Sequence, residues 1–153
     1  MASDKTQARE RAVLLLFEAD SKDTTPSEVI EALAVEPERY ALKLLEDYTQ
    51  NHEEVNSLIE ANTQRWSSDR LPGFDRAVLR MAITELVRSA QVPVGTIISE
   101  AVDLCERYST PESPRFVNGV LGTVAHNVRG VALLKEPAIP SKDEGSINEE
   151  NSD

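Results

Sequence analysis

DRAVLRMAITELVRSA, residues 75–90, decides the fold class. Val78, Leu79, Ala82, Ile83 and Leu86 recur at intervals of three and four, the period of one helix face, and nothing in the stretch alternates as a half-buried strand would. Downstream, Val92-Pro93 closes this helix, and Val94, Ile98, Ala101, Val102 and Cys105 form the inward row of another, to about Tyr108. A last helix is predicted from Pro114 to about Val128, with Ser113 as its cap, Pro114 in its first turn and Val117, Val120, Leu121, Val124 and Val128 as its core stripe.

The upstream half repeats the pattern. Ala8, Ala12, Leu15, Leu16 and Ala19 make one face of a first helix, yet Val13, Leu14 and Phe17 are apolar too and point elsewhere. Such a helix is central or serves a partner. Thr25-Pro26-Ser27-Glu28 begins a short second helix through Ala34, and Pro37 introduces the next. From Tyr40 to Trp66 the apolar positions keep helical spacing across a polar break at Gln50-Asn51-His52, giving one long helix or two joined by a kink. SSDRLPG, residues 67–73, connects the two halves, about 1–66 and 74–130, of one helical domain spanning 1–134. The expectation is an all-α fold of two small helical bundles packed together.

Composition narrows the function classes. The chain has 153 residues, enough for one domain with a real core. Its formal net charge of −11 repels phosphate at long range, so any contact with nucleic acid is local. Part of that charge lies in residues 135–153, which hold little to bury and are expected to be disordered. The start of the chain does not read as a signal peptide, and no window reads as a membrane span. A single cysteine fits a reducing, cytoplasmic setting. His52 and His126 stand apart from any metal-ligand spacing, and no phosphate-cradling glycine loop or nucleophile motif appears, so neither metal nor cofactor nor catalysis is expected.

Two segments carry features that a core does not explain. In ESPRFVNGVLG, residues 112–122, Gly119 and Gly122 lie opposite the core stripe, where an approaching backbone, from this chain or from outside, accounts for them. Phe116, with Arg115 beside it at a helix start, either completes the core or offers stacking and phosphate contacts to a single-stranded RNA. In QARERAVLLLFEAD, Arg9 and Arg11, with Lys5 just upstream, sit at a helix start against the dipole, which points to an anion or to plain solvation.

QARERAVLLLFEAD, RWSSDRLPGFDRAVLRMAITEL, VPVGTIISEAVDLCERYS and SPRFVNGVLG together resemble, in order and spacing, the successive signatures of the NusB family of transcription antitermination factors. The resemblance spans about residues 8–128 and implies a NusB-like fold of about seven helices without catalysis. It implies binding of the boxA element of ribosomal RNA leaders together with the ribosomal protein NusE, with other Nus factors and RNA polymerase engaged indirectly. Carried over, RNA contact falls to Lys5, Arg9, Arg11, Glu112, Arg115 and Phe116, and partner contact to Phe17, Asp75 and Arg76. Relatives rich in arginine have basic residues where this chain reads Lys5-Thr6-Gln7, so its positive patch is thin. A homodimeric interaction module with weak or lost RNA binding is the alternative.

Overall fold

The computed structural model describes residues 3–64 and 71–130, and they form six α-helices. In chain order these are α1 (Asp4–Ser21), α2 (Pro26–Glu31), α3 (Arg39–Asn62), α4 (Gly73–Arg88), α5 (Val94–Tyr108) and α6 (Ser113–Arg129). Trp66, most of the expected connector and the whole acidic tail lie outside the described residues.

Local chemistry sets the ends. Ser3 caps α1 by accepting a bond from the Thr6 amide. Thr25 and Glu28 form a reciprocal capping box around Pro26, so α2 starts where the sequence indicates but ends three residues before the expected Ala34. Within α3, Asn51 leaves helical geometry (φ −120°, ψ 19°) and its side-chain amide donates to the Asp47 carbonyl, 2.8 Å away. The polar break is therefore a kink. Counting its two arms separately brings the described helices to the expected seven.

α4 is the axis of the molecule. It packs against α1 and α3 on one side and α5 and α6 on the other, so the residues of both halves share one hydrophobic core. Val78, Leu79, Ala82, Ile83 and Leu86 are all buried, as their spacing predicts, and so are Ala77 and Met81, because neighbours surround this helix. In α5 the buried row is Val94, Ile97, Ala101, Leu104 and Cys105, whereas Ile98 and Val102 are only half-buried. Both rows are apolar, and periodicity alone does not choose between them. α1 proves to be both central and available: Ala8, Ala12, Val13, Leu15, Leu16 and Ala19 are buried, while Leu14 and Phe17 are exposed.

Ser113 departs from its expected role. Glu112 occupies the N-cap position of α6, and Ser113, only 2% exposed, lies inside the helix with its hydroxyl on the Asp75 carboxylate at 2.7 Å. The glycine reading also changes. A Cβ built on Gly119 would meet no atom within 4 Å, so no described element of this chain approaches that glycine closely. Gly119→Ala is therefore expected to stabilise the protein by up to about 1 kcal/mol in urea denaturation. A lower midpoint would contradict that expectation. A close neighbour is found at Gly73, where a Cβ would stand 3.1 Å from Cε1 of Phe17.

Candidate nucleic-acid and partner interface

The residues singled out in the sequence separate into two regions along α4. At the C-terminal half of α4, Arg9 is 3% exposed and donates Nε and Nη2 bonds of 2.9 and 2.7 Å to the Glu85 carboxylate, which is fully buried. Tyr40 donates to the same carboxylate at 2.5 Å, and Glu100 stands 3.6 Å from Nη1 of Arg9. Burial opposes the charge on Arg9, but the hydrogen bond and negative charge of Glu85 outweigh it and raise the guanidinium's pKa. Burial and the same carboxylate push the Tyr40 hydroxyl up to about 12. Arg9 is thus corrected from a solvent-facing basic residue to one arm of an internal ion pair. The anion that compensates for its place against the helix dipole belongs to this chain.

The rest of the basic patch is indeed thin. Lys5 is exposed, with its ammonium 5.0 Å from the centre of the Tyr40 ring, and Arg11 is partly exposed. A residue the sequence reading missed closes this end: Arg129 of α6 donates to the carbonyls of Glu85, Leu86, Ser89 and Val92, the last at 2.6 Å. It satisfies the C-terminal carbonyls of α4, and a basic residue in the last turn of α6 was the available signal.

At the N-terminus of α4 the arrangement is different. Asp75, 1% exposed, accepts bonds from the hydroxyls of Ser109 (2.6 Å) and Ser113 (2.7 Å), tying α4 to the start of α6. This corrects Asp75 from a partner-facing residue to an internal one. Its place in the first turn of α4 provides dipole stabilisation in lieu of a cation. Its charge, after burial, helps push the Cys105 thiol up to about 12, so the one cysteine is a buried, protonated core residue.

Beside Asp75 opens a cavity of about 340 Å³ with apolar walls from Leu71, Pro72 and the half-buried Phe116, and with Thr110 and the exposed Glu112 at its polar side. Arg115 is exposed next to it. Phe116 lies near the Asp75 end and Arg9 near Glu85, ten residues further along α4, or about 15 Å at 1.5 Å per residue. Arg9 and Phe116 therefore lie at different ends of α4.

Phe17 lies at the start of α4, where its ring approaches Gly73. Its ring meets Phe74 edge-on at 5.9 Å, and Phe74 meets Tyr108 at 5.4 Å. With Leu14 one turn earlier, these aromatics make an apolar strip in which Leu14, Phe17 and Tyr108 remain exposed. Tyr108 and Arg107 both bond Glu10, which lowers that carboxyl's pKa, chiefly through the tyrosine hydrogen bond. Arg76 is turned away from the strip: its Nε donates to Asp20 at 3.1 Å, and Arg80 shares that carboxylate at 3.3 Å. Among the described residues, no group of three metal-ligating side chains is present and no helix is long and apolar enough to cross a membrane.

Comparison with known proteins adds a family. The model of the NusB family matches residues 6–126. Among solved structures the chain is similar to NusB of T. maritima, at 28% identity and a TM-score of 0.72, over 82% of this chain and 92% of that one. It is similar, at 30% identity and a TM-score of 0.68, to a chain of a complex of the antitermination factors NusB and NusE with double-stranded RNA, over 80% of this chain and 96% of that one. NusB from Aquifex aeolicus gives 28% identity and a TM-score of 0.66 over 90% and 97%.

Proposed function

Because this chain belongs to the NusB family, we propose that it is an RNA-binding transcription antitermination factor acting in the cytoplasm. It holds a single-stranded, boxA-like element of a ribosomal RNA leader jointly with the ribosomal protein NusE, and RNA polymerase and other Nus factors are engaged through that assembly. The observation that carries this reading is the continuity of two surfaces. The exposed strip of Leu14, Phe17 and Tyr108 suits an apolar protein partner, and through Phe74, next to Asp75, it runs toward the cavity beside Phe116, which suits unstacked bases. A protein on the strip would stand next to RNA in the cavity, so each can contribute to holding the other.

Charge sharpens the expectation. With Arg9 neutralised by Glu85, the exposed cations left for phosphate among the proposed residues are Lys5, Arg11 and Arg115. Few phosphate contacts mean weak binding by the chain alone and a shallow salt dependence. Titration of a boxA-like RNA is expected to show tighter binding when NusE is present, with a modest loss between two salt concentrations. No binding under either condition would overturn the RNA reading. It would leave the second reading, a homodimeric interaction module, which the internal pairing of Arg9 favours and which sedimentation at several concentrations would detect.

A further inference from the structure

We propose that Tyr40 is a positioning residue for RNA binding, whose ring holds the ammonium of Lys5 in place for a phosphate of the bound strand. The inference rests on the RNA-binding reading above and adds a residue of α3 to it. Lys5 lies in the first turn of α1, where the helix dipole disfavours a cation. Its ammonium stands 5.0 Å from the centre of the Tyr40 ring, and no ion pair joins it among the described residues. An electron-rich ring face thus does for Lys5 what the Glu85 carboxylate does for Arg9.

The ring is fixed before any RNA arrives. Tyr40, the second residue of α3, is half-buried, and its hydroxyl donates at 2.5 Å to the carboxylate that also accepts from Arg9. Donation to an anion leaves more electron density on the ring, which strengthens its hold on a cation. The Arg9 guanidinium lies 5.7 Å from the same ring centre, but it is buried and paired with Glu85, so of the two cations on the ring it is Lys5 that faces solvent. An ammonium has three N–H donors, and a ring contact leaves those on its far side open to phosphate oxygens. A lysine that waits in solution loses much of its rotamer freedom when it meets a phosphate, whereas one already seated on a ring has lost part of that freedom in advance. A thin basic patch gains affinity in this way without a further charge.

The test titrates the full chain, with and without NusE, against a labelled boxA-like RNA, using Tyr40→Phe, Tyr40→Leu and Lys5→Gln at a temperature where circular dichroism shows each folded. Tyr40→Phe and Tyr40→Leu both lose the hydroxyl bond to Glu85, so the difference between them isolates the ring face. Tyr40→Leu is expected to bind about two- to fivefold more weakly than Tyr40→Phe, the range of an exposed cation–ring contact. Lys5→Gln is expected to flatten the plot of log affinity against log salt by about 0.7, one phosphate contact on a single strand. Combined with Lys5→Gln, Tyr40→Phe and Tyr40→Leu are expected to bind alike. Equal binding of the two while Lys5 is intact, or an unchanged slope in Lys5→Gln, would overturn the positioning role and leave RNA binding standing. A difference that persists with Lys5→Gln would show the ring itself touching RNA, and would overturn it as well. Absence of binding by every protein, wild type included, would overturn both readings. Without RNA, the Tyr40 ring current is expected to move the Lys5 ε-methylene protons upfield in the NMR spectrum of the full chain. A wild-type spectrum without that shift would also overturn the inference.

Discussion

Glu85→Ala and Arg9→Ala are each expected to destabilise the fold by about 3–5 kcal/mol, the cost of leaving one member of a buried ion pair without its partner. Both groups are almost fully excluded from water. Among the described residues, removing Arg9 strands a carboxylate with only the Tyr40 hydroxyl bonded to it at short range, and removing Glu85 strands a guanidinium whose remaining carboxylate is Glu100 at 3.6 Å. Since a domain of this kind is stable by about 5–15 kcal/mol in total, either change consumes a large share. Urea denaturation followed by circular dichroism measures it. Replacing both together, as Arg9→Met with Glu85→Leu, is expected to recover much of the loss, because two apolar side chains leave no charge stranded. If Arg9→Ala folded as stably as wild type and only weakened RNA binding, Arg9 would be a phosphate contact and the internal pairing would not carry the structure.

Phe116→Ala is expected to weaken RNA binding by about 1–3 kcal/mol, the usual range for a base stacked on an aromatic ring. That is roughly 5- to 150-fold in Kd. The ring is half-buried against the core, so some loss of stability accompanies the change, and Phe116→Tyr, which keeps the stacking face, separates the two effects. Measured at a temperature where all three proteins are folded, Phe116→Tyr is expected to bind nearly as wild type and Phe116→Ala not to. Unfolding of Phe116→Ala would assign the ring to the core, and unchanged affinity would remove it from the RNA surface.

These two predictions concern opposite ends of α4, and that separation was hidden in the sequence for a physical reason. Arg9 and Phe116 were both RNA candidates through the resemblance to the NusB family, while their places at helix starts by themselves left plain solvation and core packing equally open. The periodicity of α1 places Arg9 on a helix that is apolar around most of its circumference, but it cannot say that Glu85 waits opposite it, 76 positions later in the chain. Asp75 shows the same limit. Its dipole-stabilised place in the first turn of α4 was legible, whereas its two serine donors come from the approach to α6 and its first turn, and only packing brings them there. Arg129 was overlooked because the four carbonyls it joins lie in another helix and the connection after it.

By itself the sequence determined the helices, their order and most of their ends, since backbone hydrogen bonds, proline at first turns, capping side chains and apolar spacing all act within a few residues. The family signatures lie in those same local segments. Tertiary structure decided which polar side chains are spent inside the protein and which remain for a partner. It turned Arg9 and Asp75 inward, left Leu14, Phe17 and Tyr108 outward, and opened a cavity beside Phe116. Those outcomes depend on which helix faces meet around α4, and burial makes a charge choose a partner at whatever distance along the chain one is found.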